Sequence, residues 1–83
     1  MKRLEIICTT APPQEFFSEL DFEIYQQKIN HWQIKNNTIQ IYSSNPDFIS
    51  SMAGTVDWVK RQTWFDKIKF QCITQEEYIQ EKI

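Results

Sequence analysis

Two runs of alternating apolar and polar residues meet at Asn36-Asn37, and this feature constrains the fold of the chain most strongly. Residues 32–42 read Trp-Gln-Ile-Lys-Asn-Asn-Thr-Ile-Gln-Ile-Tyr. Alternation with a period of two is typical of half-buried strands, and asparagine tolerates the positive φ angles of a two-residue hairpin turn. The sequence therefore predicts a β-hairpin that turns at Asn36-Asn37.

The same alternation predicts the register of the hairpin. If Lys35 pairs with Thr38, the apolar residues share one face and the polar residues share the other, and a shift by one residue would mix the two sets. The apolar face then carries Trp32, Ile34, Ile39 and Ile41. The second face carries Gln33 opposite Gln40 and His31 opposite Tyr42. We expect the first set to be buried against helices, with Gln33, Lys35 and Gln40 exposed.

The flanking segments predict two more strands and three helices. Leu4, Ile6 and Cys8 alternate along a first strand, and the helical spacing of Phe16, Phe17, Leu20 and Ile24 predicts a helix after Pro12-Pro13. Asn45-Pro46-Asp47 is typical of a helix start. This second helix should extend to about Thr63, with Phe48, Met52, Val56, Val59 and Thr63 facing inward. Gly54 in its middle indicates either a kink or a close backbone contact. Residues 68–72 alternate as a last strand, and residues 74–77 form a capping box for a short final helix.

This order of elements indicates an α+β fold. A β-α-β-β-α-β chain favours a four-stranded antiparallel sheet of the ferredoxin-like type, with both long helices on one face and a short C-terminal helix added. The other face of the sheet is expected to be open to solvent or to a partner. Whether residues 22–29 are helical stays open, because Phe22 and Tyr25 lie off the apolar stripe of the first helix.

Length, cysteine content and charge limit the class of protein. A chain of 83 residues provides one core, so residues 1–83 are interpreted as a single α+β domain. Two cysteines are too few for a disulfide framework, and Glu5 interrupts the apolar stretch that a signal peptide needs. We therefore expect a cytoplasmic protein without a membrane partner. The formal net charge of −2 disfavours bulk binding to nucleic acid.

The sequence provides no set of residues suited to catalysis or to holding a cofactor. His31 is paired with Tyr42 in the predicted hairpin, but no carboxylate at an obvious spacing would orient its ring. A hydrolase that uses His31 is therefore only a third hypothesis. Cys8 and Cys72 lack the paired spacing of a zinc site. Antiparallel pairing of the first and last strands would put Leu4 near Cys72 and Cys8 near Ile68, so the two cysteines lie at opposite ends of the ladder. We interpret both as small core residues and expect no metal, no cofactor and no enzymatic activity.

Two surfaces are candidates for binding another protein. Trp58, Arg61 and Phe65 follow one flank of the second helix, and tryptophan and arginine are enriched at binding hot spots. The alternative is that the final helix covers this flank through Tyr78, Ile79 and Ile83. The second candidate is the acidic stripe of Glu15, Glu19 and Glu23 along the first helix, for which a solvated helix face is the alternative interpretation.

A second class of function uses the basic residues. Lys67 and Lys69 could join Lys35, His31 and Tyr42 on the open sheet face as an RNA-binding surface, although the aromatic stacking residues of a typical RNA-binding sheet are absent. Lysines on an edge strand also prevent unwanted strand pairing. We therefore expect a small protein-binding module that acts as an inhibitor, immunity factor or regulatory adaptor. RNA binding or processing is the alternative, and a homodimer is left open.

Overall fold

A computed structural model describes residues 1–26 and 29–82 of the chain. The elements in chain order are β1 (Lys2–Cys8), α1 (Gln14–Tyr25), β2 (His31–Lys35), β3 (Thr38–Ser43), α2 (Phe48–Ser51), α3 (Ala53–Lys60), β4 (Phe65–Cys72) and α4 (Gln75–Lys82). The four strands form one sheet in the order β2-β3-β1-β4, and every neighbouring pair is antiparallel. The predicted α+β class and four-stranded antiparallel sheet are confirmed.

The β2-β3 hairpin has the predicted register at every position. His31 pairs with Tyr42 and Lys35 with Thr38, and the three pairs between them also match. Asn36 and Asn37 have φ angles of 49° and 63°, which is the left-handed conformation that the turn requires. The burial prediction is wrong at Ile34, which is exposed because β2 is an edge strand.

The main core lies between one face of the sheet and the helices α1, α2 and α3. Alternate residues of β1 and β3 enter it, as the sequence predicts, and the core side chains of the helices come from the expected stripes. Its buried members are Leu4, Ile6, Cys8, Phe16, Leu20, Ile29, Ile39, Ile41, Phe48, Met52, Val56, Val59 and Trp64. Thr63 is exposed, contrary to the prediction, and Trp64 is buried beside it. The helical spacing no longer applies there because α3 ends at Lys60.

The second helix is interrupted, whereas the sequence predicted a single helix as far as Thr63. The interruption is at Met52, with φ −93° and ψ 0°, two residues before Gly54, where a kink was one of the two expectations. Ser51 donates its side-chain hydrogen bond to the carbonyl of Phe48 over 2.9 Å, and this competing bond is typical of serine in a short helical turn. The N-cap is Asp47 and not Asn45. The side chain of Asn45 instead accepts from the Asp47 amide over 2.9 Å in the preceding turn.

Helix α1 continues beyond Asp21 to Tyr25, so residues 22–25 of the segment that the sequence left open are helical. Trp32 on β2 donates an indole hydrogen bond to Asp21 over 3.1 Å and connects α1 to the hairpin. Residues 27 and 28, which belong to the segment left open by the sequence, lie outside the described residues.

Helix α4 covers part of the sheet face that was expected to be open. Its capping box is confirmed, because the Thr74 amide donates to Glu77 over 3.3 Å and the Glu77 amide donates to Thr74 over 3.1 Å. Tyr78 packs against Tyr42 and Ile73 in a second small cluster. This cluster is on the opposite side of the sheet from Trp58, so these contacts do not cover the flank of α3. Ile83, named in the covering hypothesis, lies outside the described residues.

Strands β1 and β4 pair as predicted, but the predicted register is wrong by two or three residues. Leu4 lies opposite Phe70 and Cys8 opposite Phe65, where the sequence suggested Cys72 and Ile68. An irregularity between Ile7 and Cys8 changes the register within the ladder. Both cysteines are free; Cys8 is buried as expected, whereas Cys72 is exposed at the end of the edge strand.

Candidate protein-binding surface

The described residues include large apolar side chains that the fold leaves exposed. They are Phe22, Tyr25, Ile34, Ile49, Phe70 and Ile79. Isolated exposed apolar residues are common in proteins and need no explanation. Ile49 and Phe70 differ from isolated residues because they line the same groove. The sequence analysis did not identify this groove, since it depends on the register of β4 and on the interruption of the second helix.

The groove has a volume of about 230 Å³ and lies beside the C-terminal end of β4. Lys2, Ile49, Phe70, Gln71 and Cys72 line it. Phe70 pairs with the fully buried Leu4, so it belongs to the face of the sheet that the helices cover. Helix α2 has only four residues and does not complete that cover. Ile49 is 43% exposed and Phe70 is 41% exposed as a result.

Strand β4 is an edge of the sheet, because β1 is its only neighbour in the strand order. An edge strand presents backbone N–H and C=O groups that can pair with another strand. β4 has eight residues, which is long for an edge that a protein leaves open. The apolar groove and this backbone edge are therefore parts of the same surface, which we call the β4 surface: residues 65–72 together with Lys2 and Ile49.

Three of the four charged side chains of the β4 surface are basic. Lys67 and Lys69 lie opposite Ile7 and Glu5 of β1, on the face that α4 partly covers, and both are exposed. Within residues 1–26 and 29–82, neither lysine forms an ion pair. Lys2, at the groove, donates to the carbonyl of Pro46 over 3.2 Å. Asp66 is the only acidic residue within β4 itself.

The structure places the predicted flank of α3 at the margin of the core. Trp58 is half-buried, and its ring lies 6.1 Å from that of Phe16 and 6.1 Å from that of Trp64. Phe65 is also half-buried and packs against the main core, whereas Arg61 is exposed just after α3. Two of the three predicted anchors therefore have intramolecular packing roles.

The acidic stripe follows one face of α1. Glu15 and Glu19 are exposed, and Glu23 is half-buried. Thr55 on α3 donates to Glu19 over 3.5 Å. The stripe therefore lies where α1 contacts α3. None of its residues lines the groove of Ile49 and Phe70.

Under α4, three rings pack together on the second face of the sheet. The rings of His31 and Tyr42 are 4.7 Å apart and nearly parallel, and Tyr78 meets both rings at 5.6 Å and 5.4 Å. Burial, followed by the hydrogen bond to Glu81, raises the pKa of Tyr42 to about 12. Of the residues in the RNA hypothesis, His31 and Tyr42 are thus covered, whereas Lys35, Lys67 and Lys69 remain exposed.

Glu81 attaches α4 to the sheet. Its carboxylate accepts hydrogen bonds from Arg3 and, over 3.0 Å, from Tyr42. Its backbone carbonyl accepts from Gln33 over 2.7 Å and from Lys35 over 3.3 Å. Partial burial opposes ionisation of Glu81, but the hydrogen bonds from Arg3 and Tyr42 outweigh it and lower the pKa of the carboxyl. Gln33, expected to be exposed, is half-buried for this reason. Gln40, also expected to be exposed, is half-buried beside it and accepts a hydrogen bond from Gln33 over 2.9 Å.

Among the described residues, no three His, Cys, Asp or Glu side chains lie close enough together to hold a metal ion. None of their helices has both the length and the apolar character needed to cross a bilayer. The sequence matches no family model, and neither the curated proteins nor the solved structures include a significant match to it. The β4 surface is therefore a candidate on its geometry and chemistry alone.

Proposed function

We propose that this chain is a protein-binding module that acts as an inhibitor, immunity factor or regulatory adaptor, and that it binds its partner through the β4 surface. The observation that carries this proposal is the apolar groove of Ile49 and Phe70 beside an unpaired strand edge. The ferredoxin-like interpretation of the β2-β3-β1-β4 sheet, and a cytoplasmic location suited to two free cysteines, are parts of the same proposal.

The physical support comes from what a partner would gain at this surface. Covering Ile49 and Phe70 removes apolar area from water, which stabilises a complex by about 25 cal/mol per Å² of apolar surface buried. Burial of a central apolar anchor within a polar rim is the usual arrangement of a protein interface. Here Lys2 and Gln71 supply polar groups around the groove.

RNA binding is the second candidate, and the exposed and unpaired Lys67 and Lys69 favour it. An RNA-binding sheet normally offers aromatic rings for base stacking. The rings on that face, those of His31, Tyr42 and Tyr78, instead pack against one another under α4. We therefore prefer a protein partner.

Affinity purification with three forms of the tagged chain tests the proposal. The forms are the unmodified chain, Ile49→Asp in the groove and Ile79→Asp on α4, where Ile79 is a matched control because it is 52% exposed. We expect a protein that co-elutes with the unmodified chain and with Ile79→Asp but is lost with Ile49→Asp. Circular dichroism of both variants checks that each one is folded.

Two results would contradict the proposal. Retention of the same proteins by Ile49→Asp and Ile79→Asp would exclude the groove as the contact surface. Nuclease-sensitive RNA that is lost in a Lys67→Glu and Lys69→Glu double variant would support the RNA candidate instead, particularly if retention falls steeply between about 50 and 200 mM salt.

A further inference from the structure

We propose that the β4 surface binds an extended, acidic segment of the partner, which adds to the sheet as a fifth strand beside β4. This inference rests on the proposed function, and it specifies the partner's conformation and charge. It combines three observations. β4 is an edge strand of eight residues, Lys67 and Lys69 on one of its faces form no ion pair with the residues that the structure describes, and an apolar groove lies on its other face.

The edge determines the conformation of the bound segment. In a sheet, each strand pairs through backbone N–H and C=O groups, and β1 uses these groups on only one side of β4. A bound helix would leave the outward groups of β4 without backbone partners, whereas an extended peptide satisfies them in turn. Addition of a strand to an exposed edge is an established mode of peptide recognition, in which side-chain pockets supply the specificity.

The two faces of β4 determine which side chains the segment carries. Side chains of an added strand alternate between the two faces of the sheet. Those on the face of Lys67 and Lys69 would lie beside two lysines that form no ion pair within the described residues. Glu5 lies opposite Lys69 on β1, but its ion pair is with Arg3, so carboxylates on the outer side of β4 are favoured. Those on the other face would lie beside Phe70 and Ile49, so apolar side chains are favoured there.

The same lysines disfavour a second copy of this chain as the occupant. Two β4 strands that pair antiparallel about Ile68 form a continuous sheet across both copies. Lys67 of each copy then lies opposite Lys69 of the other, on the same face of that sheet. Like charges directly opposite each other in a sheet are destabilising. Edge lysines therefore prevent self-association while they favour an acidic strand.

The probe is a capped synthetic peptide of eight residues, the length of β4, in which Glu and Val alternate. A peptide in which Lys replaces every Glu is the matched control. Each peptide is titrated into the ¹⁵N-labelled full chain, and the amide chemical shifts are followed by NMR. We expect the Glu peptide to shift the amides of residues 66–72 and to bind at least tenfold more tightly than the Lys peptide. The double variant Lys67→Glu and Lys69→Glu should reverse this preference.

Backbone methylation tests strand addition directly. An added strand directs every second N–H toward β4 and the remaining N–H groups toward solvent. Two further Glu peptides carry N-methyl groups on one or the other alternate set of amides. We expect one set to abolish binding and the other to be tolerated, and the tolerated set reveals whether the segment is parallel or antiparallel to β4.

Each contrary outcome overturns a stated part of the proposal. Equal effects of the two methylation patterns would exclude strand addition, and equal binding of the Glu and Lys peptides would exclude charge recognition. The absence of shifts in residues 66–72 at millimolar peptide would overturn the whole inference. A dimer in sedimentation analysis that Phe70→Asp dissociates would assign the edge to a second copy. A last outcome separates this inference from the proposed function. If neither peptide binds but Ile49→Asp still abolishes co-elution of a protein, the chain binds a protein through the groove, and only the extended acidic segment is excluded.

Discussion

The imidazole of His31 lies parallel to the phenol of Tyr42, with 4.7 Å between the ring centroids. Both ring nitrogens of His31 are buried, and no carboxylate within the described part of the chain forms an ion pair with the ring. The ammonium of Lys82 is nearby and lies 5.6 Å from the centre of the Tyr78 ring. A proton added to His31 would therefore be placed in a buried stack without a negative partner.

This arrangement predicts a loss of stability in mild acid. Burial, followed by the positive charge of Lys82, lowers the pKa of His31 below its ordinary value of 6.5, and the opposing contribution of Gln33 is smaller. The unfolded chain then binds more protons than the folded chain below that pH, so stability is complete above about pH 6.5 and decreases as the pH falls through it. Urea denaturation between about pH 5 and 8 should show this decrease, and His31→Phe should remove it. A His31→Phe profile that matches that of the unmodified chain would exclude His31 as its source.

Loss of the Glu81 charge should weaken the attachment of α4. Glu81→Gln retains the size of the side chain but replaces the carboxylate that accepts from Arg3 and Tyr42. Because the side chain is about a quarter exposed, we expect a loss of about 1 kcal/mol in unfolding free energy. Glu76→Gln, on the exposed first turn of α4, is the control and should change stability by less than about 0.5 kcal/mol. Equal denaturation midpoints for the two variants would contradict the role of Glu81.

Trp58 should contribute to stability as well as to any contact with a partner. Trp58→Ala removes a ring that packs against Phe16 and Trp64. Truncation of a fully buried tryptophan costs about 3–5 kcal/mol, so a half-buried one should cost about 2–3 kcal/mol. Arg61→Ala, three residues later and exposed, should be nearly neutral. A denaturation midpoint for Trp58→Ala equal to that of Arg61→Ala would mean that Trp58 is a surface residue after all.

The hairpin turn predicts opposite effects for two substitutions. Asn37→Gly places the residue that best tolerates a positive φ at the second turn position and should be neutral or stabilising by about 0.5 kcal/mol. Asn36→Val requires a β-branched residue at φ 49° and should cost about 1–2 kcal/mol. Thermal denaturation of the two variants measures the contrast. If both substitutions cost the same, the turn does not have the left-handed conformation at both positions.

Local patterns predicted the elements whose environment is determined by near neighbours. The hairpin register followed from alternation around Asn36-Asn37, and the capping box of α4 followed from Thr74 and Glu77. The register of β1 against β4 did not follow, because an irregularity after Ile7 has no sequence signal in either strand.

The candidate surface was less accessible to sequence analysis. The exposure of Phe70 depends on how far α2 extends over the sheet, and the interruption at Met52 limits that extent. The position of α4 was also unpredictable from its weak apolar pattern, since Glu81 attaches it through hydrogen bonds to Arg3, Tyr42 and Gln33. Polar attachments of this kind do not produce a periodic pattern.

The central place of β1 in the sheet has a consequence for the order of folding. β1 precedes the other strands in the chain, but it pairs with β3 and β4, which follow it by at least 30 and 57 residues. Pairings between distant segments carry a large loop-closure entropy, so folding of such sheets is slower than that of helical bundles. During synthesis, the β2-β3 hairpin can form and join β1 before β4 has emerged from the ribosome. The nascent sheet then has β1 as a temporary edge, and the arrival of β4 moves the exposed edge outward to the strand that carries Lys67 and Lys69.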